Sequence, residues 1–131
     1  MPLNAKLVSM RYIPGSLFSV NQKMVNKIKR IFARNERLVC RFEASFGEVA
    51  FVLVGAIFVG SIQTSWQGQI TPPYGKYVKS FDYIDKEFEL NKGDELGRFN
   101  MGSTVIMLLP EGAPELKLHS GQVLRMGQSV V

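Results

Sequence analysis

Few residues in this chain have the types that catalysis uses, and most are badly placed for it. There is one histidine, His119, and one cysteine, Cys40. A histidine works as a general base only when a nucleophile or an orienting acid is held beside it. His119 lies in a polar stretch with no such neighbour and reads as a surface residue. Cys40 has no second cysteine to bridge and no ligand at zinc spacing, so it reads as a core residue. Asp82, Asp85, Glu87 and Glu89 are interleaved with Phe81, Tyr83, Ile84 and Phe88 as on a solvated strand face, not as in a calcium loop, and no metal is expected. No phosphate-cradling glycine motif is present. What remains is Gly102-Ser103-Thr104. A serine hydroxyl becomes a nucleophile once a base takes its proton, but on pattern alone this triplet is a turn entering an apolar strand.

The elements that must position these residues can be read from periodicity. Within 20–34, Met24, Ile28, Ile31 and Phe32 follow helical spacing with lysines and arginines between them. One short basic amphipathic helix is expected, either covering the end of a sheet or meeting lipid head groups. Leu38, Cys40, Phe42 and Ala44 alternate with Val39, Arg41, Glu43 and Ser45, a half-buried strand, and Phe46-Gly47-Glu48 reads as a hairpin turn. Residues 49–59 read as a buried strand bent at Gly55, and 62–66 as extended. Thr71-Pro72-Pro73-Tyr74-Gly75 is a loop that ends ladder pairing. Residues 77–84 read as another strand, Asn91-Lys92-Gly93-Asp94 as a turn, 96–100 as a short approach, and 104–109 as an apolar strand closed by Pro110. The expected fold class is mainly β: a β sandwich or partly open barrel of short antiparallel strands with one short basic amphipathic helix.

A chain of 131 residues, 46% hydrophobic and 21% charged, fits a single domain, 1–131, and excludes collagen-like and disordered classes. The weakly polar run 49–60 is shorter than the ~20 residues of a spanning helix. The N-terminus lacks a secretory signal, so a cytoplasmic site or the cytoplasmic face of a membrane is expected. The net charge of +5 calls for an anionic partner. Six of the sixteen basic residues, Lys23, Lys27, Lys29, Arg30, Arg34 and Arg37, fall in one stretch whose only acid is Glu36. Nucleic acid is not the expected partner, because no interleaved aromatics or recognisable module accompany the charge.

Several segments, in order, resemble one family. They are Ile13-Pro14-Gly15 with Leu17-Phe18-Ser19-Val20-Asn21, Phe32-Ala33-Arg34-Asn35-Glu36-Arg37, Phe46-Gly47 followed by 52–60, and Gly68-Gln69-Ile70-Thr71-Pro72-Pro73. Lys92-Gly93-Asp94-Glu95-Leu96-Gly97-Arg98-Phe99, Gly102-Ser103-Thr104-Val105-Ile106 and Arg125-Met126-Gly127-Gln128 complete the set. Together they are similar to phosphatidylserine decarboxylase of the membrane-associated bacterial and mitochondrial type.

The resemblance implies a self-processing enzyme. The backbone would be cut between Gly102 and Ser103, leaving 1–102 as the end of a β chain and 103–131 as an α chain held as a strand in the core of the larger piece. Ser103 would become the pyruvoyl cofactor. A glycine at 102 lets the backbone bend so that the serine hydroxyl reaches the preceding carbonyl and forms an ester by N-to-O acyl shift. Elimination and hydrolysis then leave a ketone. Thr104 would assist by hydrogen bonding or simply start the strand. The pyruvoyl carbonyl would form a Schiff base with phosphatidylserine and accept the electrons released with carbon dioxide, giving phosphatidylethanolamine. Ser19 and Asn21 match the segment near the lipid head group, and either is equally readable as a helix N-cap. The implied partners are phosphatidylserine, anionic membrane lipid and, in the full-length family, a second copy in a homodimer.

Two departures from the family matter. Met101 stands where leucine is common, a volume-conserving change. Met1-Pro2 looks like the end of an H-x-x-H-M-P motif, so the aspartate and histidines that assist the reaction are expected upstream, in an N-terminal half that is missing. Without that base, general-base assistance commonly worth ~10² to 10⁴ in rate is lost. The chain alone is therefore expected to process slowly or not at all. The competing reading is a non-catalytic β-domain that binds anionic lipid or a partner protein through the basic helix and an exposed apolar edge.

Overall fold

The computed structural model describes residues 1–102 and 104–131. β1 (Ala5–Ile13) is central: β2 (Arg37–Ala44) pairs along one edge, while β6 (Lys79–Asp82) and β7 (Glu89–Leu90) share the other. The ladder continues from β2 to β3 (Gly47–Val54) and on to β9 (Val105–Leu108), making six antiparallel strands in one sheet. A second, three-stranded sheet has β4 (Ile62–Thr64) between β5 (Gly68–Thr71) and β8 (Gly97–Phe99). The mainly β expectation holds, and the larger sheet does not close, because it ends at β6 and β9.

β1 has no counterpart in the sequence reading, and its register explains why. Ala5 and Leu7 point into the core, and so do Met10 and Tyr12, so the inward positions change parity midway. The pairing with β2 shifts between Leu7 and Ser9, a bulge that inserts one extra residue and breaks the alternation a strand is recognised by.

Leu7, Met10, Leu38, Phe42, Leu53 and Ile62 are fully buried, and Trp66, Ile70 and Phe99 from the second sheet's region pack against them. Each such side chain contributes about 1.5–3 kcal/mol of burial free energy. Phe42 meets Phe51 and Trp66 edge-on at 5.8 and 5.9 Å. Cys40 sits in this core as expected, and burial pushes its thiol up to about 12.

Several segments differ from expectation. The single helix over 20–34 is two short ones, α1 (Gln22–Lys27) and α2 (Ile31–Arg34), separated at Arg30, whose φ is 58°. No residue of α1 is buried, whereas Ile31 is, so the chain turns at Arg30 to swing Ile31 into the interior. The hairpin closes earlier than the sequence suggests: Gly47 already pairs with Ala44 across Ser45 and Phe46. The strand expected over 49–59 stops at Val54, and Ile57 and Phe58 are exposed. The extended run 62–66 ends at Thr64, whose hydroxyl accepts from Gln67 N–H at 3.1 Å to form a turn. Strand 77–84 contracts to β6. β9 lies at the sheet edge, with Val105 and Leu108 exposed while Met107 and the following Leu109 pack against the core.

One close approach brings the segment before α1 directly against the backbone at the end of α2. A Cβ on Gly15 would fall 2.5 Å from the Arg34 carbonyl oxygen and 2.6 Å from the Glu36 nitrogen, both backbone atoms that cannot move aside. Gly15→Ala is expected to lower unfolding free energy by about 1–3 kcal/mol or more, as overpacked sites do. Urea titration followed by the fluorescence of Trp66, the only tryptophan, measures it; an unchanged midpoint contradicts the packing.

Candidate functional site

Two consecutive buried polar residues, Asn35 and Glu36, organise the region from which the candidate residues project. The Asn35 side-chain oxygen accepts from Phe18 N–H at 3.1 Å, and its amide nitrogen donates to the carbonyls of Phe18 at 2.8 Å and Gly55 at 2.9 Å. One side chain thus clips the segment before α1 to the residue just after β3. The Glu36 carboxyl accepts from the hydroxyls of Tyr12 at 2.8 Å and Thr71 at 3.1 Å. Its backbone N–H donates to Ser16 O, and its carbonyl accepts from Gly55 N–H, both at 2.8 Å. Since Tyr12 belongs to β1 and Thr71 to β5, one carboxyl ties the two sheets together. Burial, then the Glu36 carboxyl, pushes the Tyr12 phenol up to about 12. Neither Asn35 nor Glu36 was assigned a role from sequence beyond belonging to a family-like segment, because polar residues linking a helix to a strand ordinarily face water.

Residues 55–60 form the loop that this pair holds at its start. Further along, Ile57 N–H donates to Leu17 O and Met101 N–H donates to Val59 O, each at 3.0 Å. Past the triplet's serine, Thr104 O accepts from Val54 N–H at 2.9 Å, and β9 begins. Backbone therefore fixes the chain on both sides of the Gly102–Ser103 bond: at Met101 by the loop and at Thr104 by the end of β3. Gly102 itself has φ +60°, and a Cβ there would find nothing within 4 Å. The need for glycine is torsional, about 1–2 kcal/mol for a residue with a side chain, not a matter of crowding. Ser103 lies outside the described residues. Thr104 is half-buried.

The head-group candidates sit at the other end of the same loop. Asn21 is the N-cap of α1: its side-chain oxygen accepts from Met24 N–H at 2.9 Å. That matches one of the two readings open from sequence and leaves the amide nitrogen for another partner. Ser19 is half-buried and caps nothing. The loop touches Leu17 with one residue and Met101 with another, so the structure brings the 17–21 and 101–102 segments to a common element. Among the described residues no hydrogen bond joins Ser19 or Asn21 to Gly102.

The remaining candidates behave as surface chemistry. His119 is exposed, its backbone N–H donating to the Gln122 side chain at 3.1 Å. Asp82, Asp85, Glu87 and Glu89 are exposed, and no group of three or more possible metal ligands occurs among the described residues. A cleft of about 150 Å³ between Tyr12, Gln67, Gln69, Pro73, Lys79 and Phe81 does not include Gly102.

Two outcomes test the buried pair. Asn35→Ala leaves the Phe18 N–H and the Phe18 and Gly55 carbonyls without partners, and should cost about 2–4 kcal/mol in a urea titration. Tyr12 gives a pH signature. Its folded pKa lies above its ordinary value of 10.0, so its contribution is whole below pH 10 and is lost as pH rises through about 12. Melting temperatures should fall across that window, and fall less in Tyr12→Phe; identical slopes would remove Tyr12 as the cause.

The geometry can now be set beside known proteins. The profile of the family described as Phosphatidylserine decarboxylase matches residues 1–131. A phosphatidylserine decarboxylase proenzyme of Nitrosococcus oceani is 52% identical over 131 residues, covering 98% of this chain and 43% of the relative. Those of Methylococcus capsulatus and Acidovorax ebreus are 44% and 45% identical over 132 residues, covering 99% of this chain and 46% and 47% of the relatives. The chain thus spans a little under half the length of these curated relatives. With its full length inside one profile and about half its residues shared with proenzymes of that name, the chain belongs to the phosphatidylserine decarboxylase family.

Proposed function

We propose that this chain is the self-processing part of a pyruvoyl-dependent phosphatidylserine decarboxylase, cut between Gly102 and Ser103. The observation that carries the reading is the pair of backbone anchors at Met101 and Thr104, with a left-handed glycine between them. A peptide held at both ends and bent at Gly102 is suited to attack by the Ser103 hydroxyl on the Gly102 carbonyl carbon. The C–N bond breaks as the C–O bond forms, and the freed nitrogen takes the proton. Loss of the Ser103 α-proton then expels the Gly102 carboxylate, and hydrolysis of the resulting enamine, through its imine, releases ammonia and leaves a ketone.

The residues present fit the pyruvoyl group that results. It would be borne by residue 103 at the head of the 104–109 segment, with the open space beside Gly102 admitting a substrate amine. Bound there, the group supplies an electron sink for decarboxylation. This chain's own residues hold the segment, through Val54 and Val59, and offer Ser19 and the Asn21 amide nitrogen to a phospholipid head group. His119, the single histidine, is exposed, so the base for Ser103 is proposed to come from residues outside this chain, matching the remaining length of the relatives. Phosphatidylserine is the proposed substrate and the cytoplasmic face of a membrane the proposed site. Among the described residues no helix is long and apolar enough to cross a membrane.

Intact-mass spectrometry tests the processing. The purified chain should stay whole, and should yield pieces 1–102 and 103–131 when the upstream half of the Nitrosococcus relative is supplied in trans, the smaller piece blocked to Edman sequencing. Ser103→Ala should stay whole under both conditions. Identical behaviour of wild type and Ser103→Ala in trans would sink the assignment.

A further inference from the structure

We propose that residues 55–60 form a bilayer-insertion tip which, with the cationic face of α1 and α2, seats this chain on an anionic phospholipid surface with Met101 and Gly102 at the interface. Ile57 and Phe58 are 61% and 71% exposed, and Met101, bonded to the same loop, is 66% exposed. Large apolar side chains clustered in water are unfavourable and mark a contact surface. Looseness does not explain their exposure. Ala56 and Val59 of the same loop are buried, and the backbone is fastened at Gly55 to Glu36, at Ile57 to Leu17 and at Val59 to Ala56 and Met101. The fold presents Ile57 and Phe58 outward while holding their neighbours in.

The charge on α1 and α2, which adjoin the segment that holds the tip, has one sign. Leu17, which bonds Ile57, follows Ser16, whose N–H donates to Arg34 O at 2.9 Å, and the Arg34 guanidinium lies 5.0 Å from the Phe18 ring centre. Lys23, Lys27, Lys29, Arg30 and Arg34 are all exposed. The only acid of that stretch, Glu36, is buried and bonded to Tyr12 and Thr71, so it offers no carboxylate to the outside. Apolar side chains flanked by cations are the pattern of an interfacial anchor, where acyl chains receive the first and anionic head groups the second. The inference deepens the decarboxylase reading by saying how the site would meet a substrate embedded in a membrane. Its test is read without any decarboxylation, so either can fail alone.

Flotation of the full chain is measured with vesicles of phosphatidylserine and phosphatidylcholine, and with phosphatidylcholine alone. Binding is expected to the first only. Phe58→Ser should weaken it about tenfold, the value of one partly buried aromatic. The double variant Lys23→Gln, Lys27→Gln should weaken it roughly 25-fold at low salt, about fivefold for each cation, and less at high salt. Phe58→Trp adds a readout that survives even if Phe58→Ser misfolds. After subtraction of the Trp66 signal, its emission should shift blue on anionic vesicles and be quenched by lipids brominated in the acyl chain. Unchanged emission, or equal binding by the Phe58→Ser variant, overturns the proposal. A dimer that Phe58→Ser dissolves overturns it as well, since the tip would then belong to a second copy.

Discussion

The Glu36 carboxyl is the constraint on which the arrangement depends. It accepts from Tyr12 on the large sheet and Thr71 on the small one, and its own backbone fastens Ser16 on one side and Gly55 on the other. A buried carboxyl with two hydroxyl donors and no ion pair among the described residues is expensive to desolvate, and it is tolerable only because its partners are in place. That makes the sheets interdependent: either can settle only when the other delivers its donor. Asn35 extends the same logic to backbone groups, satisfying Phe18 and Gly55, which lie outside the strands.

From this hub the loop 55–60 acquires its shape, and from the loop the segment of the proposed cut acquires its place. β3 ends at Val54: the Gly55 N–H still reaches the Glu36 carbonyl in register, but the Gly55 carbonyl is taken by the Asn35 side chain. The loop then reaches Leu17 with Ile57 and Met101 with Val59. A single short element therefore joins the head-group candidates, the apolar tip and the residue before Gly102.

Much was legible from periodicity where alternation is clean. β2 shows it, with Leu38, Cys40, Phe42 and Ala44 buried in turn, and β9 and the proline loop fell where their composition placed them. β1 was missed because its bulge reverses the inward parity. The helix was overextended because hydrophobic spacing says which face is apolar, not whether the backbone stays helical through Arg30. The strand over 49–59 was overextended because β-branched content does not reveal that a buried asparagine will claim the next carbonyl. For the site, Gly102-Ser103-Thr104 and Asn21 are candidates that the family-like segments point to, while Asn35 and Glu36 read from sequence as an ordinary polar link.

The sequence by itself determined the family, the residue types at the proposed cut, the concentration of positive charge and the mainly β class. These are carried by identity, order and short-range periodicity, which do not need coordinates. Only the tertiary structure decided that Glu36 is withdrawn from the charged stretch, that Ile57 and Phe58 face outward while Ala56 and Val59 do not, and that a side chain at 102 would meet open space and not a crowded neighbour. Each of those depends on which distant backbone or hydroxyl group arrives as a partner. Hydrogen bonds between residues far apart in the chain leave little trace in local pattern.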